Sequence, residues 1–158
     1  MIGSYLQILQ DSLIKKIALL TQIEEKSKEQ SELIKNPELN MAEIDLNMDA
    51  KNELIQEVLK LDDGFEHLYQ RIKKNLEENK AQYKDEILKI KELIAKVTEK
   101  SSSIQVIEAR NKTEMDMFFS NQKKGIQTKR NAMSVARDYY QNMNKVKHVS
   151  PQFLDRKK

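Results

Sequence analysis

From Ser4 to Ile34 apolar residues return at steps of three and four: Leu6, Leu9, Leu13, Ile17, Leu20 and Ile23. That spacing lines one face of a helix with 3.6 residues per turn, so a first helix is expected over about residues 4–35. The stripe fades past Ile23, because Glu24 to Glu32 holds no apolar residue before Leu33 and Ile34. Asn36-Pro37 then ends the helix. Proline has no amide hydrogen and disfavours helical geometry in the residue before it.

Asn40 is a suitable N-cap for a second helix, with Glu43 at the capping-box position three residues on. The stripe that follows runs through Ile44, Met48, Leu54, Val58, Leu61, Phe65, Leu68, Ile72 and Leu76, which predicts a helix over 41–78. Gly64 lies inside it. An interior glycine costs about 1 kcal/mol relative to alanine, which so long a stripe absorbs. Glu77-Glu78-Asn79-Lys80 is the expected second turn, with Asn79 as a cap.

From Tyr83 a third stripe passes through Ile87, Ile90, Ile94, Val97, Ser101, Ile104, Glu108, Asn111, Met115 and Phe118. It turns polar at Gln122, Gly125 and Lys129, then resumes as Ala132, Ala136, Tyr139 and Met143. With no proline before Pro151, one long third helix is expected over 81–144, followed by a flexible C-terminal tail at 146–158. The expected fold is all-α: a single domain over 1–145, built as an elongated antiparallel three-helix bundle. The third helix would exceed about 90 Å at 1.5 Å per residue. Its two partners cover it only to about Asn111. The remainder must overhang, fold back at a break near Gly125, or pair with a second copy.

Composition narrows the function classes. Lys, Glu, Gln, Leu, Ile, Ala and Met dominate, while Gly occurs three times and Pro twice. These straight-chain residues favour helix, and the turn residues that sheet folds need are scarce. There is no cysteine, hence no disulfide framework, thiolate nucleophile or cysteine-bound zinc. The start, Met1-Ile2-Gly3-Ser4-Tyr5, lacks the basic and apolar regions of a secretory leader, and no apolar run reaches membrane-spanning length. A cytoplasmic protein is expected. The net charge of +3 conceals an asymmetry: residues 37–80 carry −5 and residues 123–158 carry +8. A basic end of that kind suits an anionic partner or a solvated face.

No constellation for catalysis or metal binding emerges. His67 lies one turn after Asp63, but a metal needs three or four converging ligands. The carboxylate pairs Asp62-Asp63 and Glu77-Glu78 read as solvated charge, and Ser101-Ser102-Ser103 has no histidine near it. Nucleic acid is disfavoured as a partner, since no helix-turn-helix or RNA-binding signature accompanies the basic stretch. No enzyme activity and no cofactor are expected. The informative region is the C-terminal half, where Met115, Met117, Met133 and Met143 accompany Phe118, Phe119, Tyr139 and Tyr140. Methionine-rich surfaces adapt to partners of more than one shape, and aromatic rings add contact area at little entropic cost. Met115, Phe118, Phe119, Met133, Tyr139, Tyr140 and Met143 are therefore the candidate partner-binding residues. The rival reading is a coiled-coil scaffold without a client, against which stand the seam interruptions at Glu108, Asn111, Gln122, Gly125 and Lys129.

Several stretches carry a family likeness: Leu61-Asp62-Asp63-Gly64-Phe65-Glu66 with Leu68-Tyr69, Glu108-Ala109-Arg110-Asn111-Lys112, Tyr139-Tyr140 with Met143, and Pro151-Gln152-Phe153. Taken with the Asn-Pro break, the chain resembles the FlgN-like flagellar export chaperones over nearly its whole length, with FliT-like chaperones a close second. The resemblance implies a cytoplasmic chaperone of type III export. Such a chaperone binds C-terminal helical segments of hook-associated proteins, prevents their premature assembly and delivers them to the export gate, as a monomer or homodimer. It also implies that the contacts lie in the C-terminal part, with Tyr139 and Tyr140 the candidates for the gate.

Overall fold

The computed structural model describes residues 2–36, 41–121 and 126–146. Among them are four helices, α1 (Ile2–Lys35), α2 (Met41–Glu78), α3 (Lys84–Asn121) and α4 (Ile126–Lys145), and no strand. The protein is all-helical, as expected. The long third helix is the point of difference. Where one element was anticipated over 81–144, α3 stops at Asn121 and a separate α4 begins at Ile126. Gly125, near which a fold-back is one of the three alternatives, and the tail from 147 onward lie outside the described residues.

The first two helices follow their stripes closely. Lys35 closes α1, where the Asn36 amide bonds back to the Leu33 carbonyl at 3.2 Å. α2 ends at Glu78, and Asn79 organises the turn beyond it. The Asn79 carbonyl accepts the amides of Gln82 (3.1 Å) and Tyr83 (3.3 Å), and its side-chain amide donates to the Asn75 carbonyl at 2.7 Å. At 1.5 Å per residue these helices are about 50–57 Å long.

Side-chain pairings set the directions. Lys16 meets Asp62, while Asn47 donates to the Lys26 carbonyl further along α1, so α1 and α2 are antiparallel. Glu24 meets Lys100 and Ser31 meets Asn111, so α1 and α3 are parallel. α1 packs against both α2 and α3, and α4 packs along α2. α4 runs opposite to α3, with Ala136 beside Met115 at one level and Met143 beside Ile104 at another. The molecule is thus three helices thick at the end holding the α2–α3 turn and four thick at the other.

The core is continuous between the two ends. Leu9, Leu13, Leu20 and Ile23 of α1 join Val58, Tyr69 and Ile72 of α2 and Ile90, Ile94 and Val97 of α3, all 2% exposed or less. At the thick end Met115, Ala136 and Tyr139 are buried with them. A straight helix over 81–144 would have left this second apolar set in water. Folding α4 back onto α2 removes it, which is the hydrophobic argument for a break where the stripe turns polar.

Candidate functional site

Polar residues occupy the centre of the four-helix end. The α1 stripe that fades after Ile23 does not leave the core: Ser27 and Gln30 continue the same face and are fully buried. Across from them Lys51 of α2 is also fully buried, and Glu108 and Asn111 of α3 are 5% and 0% exposed. The Lys51 ammonium donates to the Gln30 side-chain carbonyl and to Glu108 Oε1, the latter at 2.9 Å. It also lies 4.3 Å from the centre of the Tyr139 ring of α4, within cation–π range. Asn111 donates to the Ser27 carbonyl at 2.8 Å and accepts from the Ser31 hydroxyl at 2.5 Å. All four helices meet at this group.

Burial governs its protonation. Burial pulls the Lys51 ammonium below its usual 10.5, and the Glu108 carboxylate opposes that shift without cancelling it. Burial first, and then Glu108, push the Tyr139 phenol well above 10.0 and raise that of Tyr140 in the same sense. Tyr139 Oη and Glu108 Oε2 are both buried without a hydrogen bond of good geometry. The Tyr139 and Tyr140 rings meet edge to face, 5.2 Å between centres. Asn142 of α4 donates to the Asn52 side-chain carbonyl at 3.1 Å, tying the helix end to α2. The arrangement fixes the register of α4. It presents no open acid–base pair.

Among the described residues two more ion pairs join different helices. Lys16 and Asp62 join α1 to α2 at 2.5 Å in near-complete burial. Glu24 accepts from Lys100 at 2.8 Å and from Ser103 at 2.6 Å, which lowers its pKa below 4.5. His67 is exposed with Nδ1 2.8 Å from the Asp63 carbonyl oxygen.

The accessible feature is a cleft of about 300 Å³ between the C-terminal end of α3 and α4. Met115, Met133, Ala136 and Tyr140 line it, with Lys112, Asp116 and Arg137 also on its walls and the amides of Gln141 and Asn144 toward one end. It exists because α4 packs chiefly on α2, so its α3 side is left partly open. A second, apolar groove of about 330 Å³ runs between α1 and α2 at the three-helix end, lined by Ile8, Leu61, Gly64 and Leu68 among others.

Comparison with known proteins returns nothing. No family model, no curated protein and no solved structure matches the chain.

The candidate partner-binding residues therefore have to be judged on this geometry. Met133 and Tyr140 come together in the α3–α4 cleft, and Met115 lines it too but is only 2% exposed, a core residue more than an accessible anchor. Tyr139 does not: it is fully buried in the polar centre, a core residue and not an accessible anchor. Phe118 is half-buried against the core, and Met143 faces a small crevice with Leu20 and Ile104. The Phe119 side chain lies outside the described residues. Met117, on another face, is 61% exposed.

The buried polar residues Lys16, Ser27, Gln30 and Lys51 carry no expectation in the sequence, and Asp62, expected there as solvated charge, is instead 8% exposed and paired with Lys16. A signal for them exists in the stripe phase. Leu9, Leu13, Lys16, Leu20, Ile23, Ser27 and Gln30 keep one alternation of four and three. A polar residue that holds a seam position is a candidate for burial with a partner. Glu108 and Asn111, which in sequence look like seam interruptions, are the third helix's share of that interior.

Proposed function

We propose that this chain is a non-catalytic binding protein of the FlgN-like export-chaperone type. In this reading it holds an amphipathic C-terminal helix of a hook-associated protein, keeps it from assembling early and hands it to the type III export gate. It acts in the cytoplasm, as a monomer or homodimer, without metal or nucleotide. The observation that carries the reading is the α3–α4 cleft, where exposed Met133 and half-buried Tyr140 line an open wall beside the nearly buried Met115. A helix laid in such a cleft gains apolar contact from adaptable methionines and a large ring. The motif likeness around Glu108-Ala109-Arg110-Asn111-Lys112 and Tyr139-Tyr140 falls on the two helices that form it.

Isothermal titration of the full chain with the C-terminal helical segment of a hook-associated protein tests this reading. Binding should weaken at least about tenfold in Met133→Glu, since a charge in an apolar contact is costly. The melting temperature should hold, because Met133 is 36% exposed. A segment that fails to bind, or binds Met133→Glu unchanged, refutes the assignment.

A further inference from the structure

The α3–α4 cleft has a mixed apolar and polar lining that is unbalanced in charge. Lys112 of α3 and Arg137 of α4 both line it and are exposed, and among the described residues neither forms an ion pair. The Lys112 ammonium is 5.9 Å from the centre of the Tyr140 ring, a weak contact that leaves its donors available to an incoming group. Among the described residues Asp116 is the single acid that lines the cleft. In sequence, residues 123–158, Arg137 among them, carry a net +8.

Geometry limits the shape of the guest. The lining on α4 extends from Met133 to Asn144, about three helical turns or roughly 17 Å. Met133, Ala136 and Tyr140 follow steps of three and four, so the lining is a single helix face. A helix of three to four turns laid alongside it meets Met133, Ala136 and Tyr140 together with the cations Lys112 and Arg137.

We infer that the cleft selects an acidic amphipathic helix, a partner segment with apolar residues at helical spacing and Asp or Glu flanking them to meet Lys112 and Arg137. This rests on the proposed binding role and adds the charge of the partner. The guanidinium of Arg137 takes a carboxylate through two parallel hydrogen bonds, and Lys112 acts as a point charge. Complementary charge of this kind raises the encounter rate and rejects partners of the wrong sign.

The test uses the full chain and two labelled helical peptides of roughly four turns. They share one apolar face, and one carries glutamate flanks, the other lysine flanks. Fluorescence anisotropy at low salt should show the glutamate peptide binding at least about tenfold more tightly. The gap should close in about 0.5 M salt, where exposed charges are screened. Lys112→Glu with Arg137→Glu should reverse the preference without moving the melting temperature, because both side chains are exposed. Equal binding of both peptides overturns the charge inference and leaves the binding role standing. Binding of neither overturns both. If light scattering shows a dimer that Arg137→Glu dissociates, the cleft belongs to a second copy of this chain and the inference fails.

Discussion

The Lys51 ammonium on α2 lies 2.9 Å from the Glu108 carboxylate on α3, with the two side chains 0% and 6% exposed. Two charges removed from water must recover that desolvation through each other and through further contacts, here the Gln30 side-chain carbonyl, which accepts from Lys51, and the face of the Tyr139 ring. Deleting one partner strands the other. Glu108→Gln or Lys51→Met should each lower unfolding free energy by about 3–5 kcal/mol. The double variant Lys51→Met with Glu108→Leu should recover most of it. Urea titrations of the three variants decide the matter, and additive losses would contradict the pairing.

Removing α4 should change the worth of that pair. A chain ending at Asn121 lacks Tyr139, so Lys51 and Glu108 gain access to water. Exposed ion pairs contribute about 0–1 kcal/mol. In the truncated chain Glu108→Gln should therefore cost about 1 kcal/mol or less, and the parent truncation should melt below the full chain. Far-ultraviolet circular dichroism melts of the four proteins measure both effects.

Tyr139 separates ring from hydroxyl. Its ring is fully buried over Lys51, while its hydroxyl finds no hydrogen bond of good geometry. Tyr139→Ala should cost about 3–5 kcal/mol, as for other buried aromatics. Tyr139→Phe should stay within about 1 kcal/mol of the parent, since no made bond is lost. A large loss in the phenylalanine variant would show that the hydroxyl is bonded to Glu108 in solution.

The two tyrosines also give the protein an alkaline limit. Their native pKa values lie above 10.0, so each contributes stability that is fully present below pH 10 and is lost as pH rises through the native value. Lys51 works the other way: its native pKa lies below 10.5, so its buried charge becomes less costly as pH climbs toward that value. Two phenols outweigh one ammonium. Stability should decline above about pH 10.5, by up to about 1.4 kcal/mol per pH unit for each phenol. Tyr139→Phe should flatten the decline, which unfolding curves between pH 8 and 12 will register.

Gly64 offers a stabilising change. It sits inside α2, and a Cβ added there meets nothing within 4 Å. Gly64→Ala should raise stability by about 1 kcal/mol through helix propensity and a less disordered unfolded chain. A calorimetric melt that falls instead would mean the α1–α2 groove beside it is closed in solution.

Helix existence, phase and two of the turns were legible in the sequence, because 3.6-residue periodicity is a local property of the chain. The second helix begins at Met41 and ends at Glu78, the expected limits, and the Asn36-Pro37 and Asn79 signals stand where the first two helices stop. The stripe positions Ile90, Ile94, Val97, Ile104 and Met115 are buried as their phase requires. Even Glu108 and Asn111 sit at stripe positions and face inward. Local periodicity does not say what covers a face. That α4 returns to α2, so that Tyr139 becomes core while Met133 stays partly open, depends on contacts between residues about ninety apart in sequence. The same holds for Lys51 and Glu108, which are 57 residues apart. Each is unremarkable on its own helix. Only the packed bundle sets one opposite the other, and desolvation then makes the pair a condition of the fold.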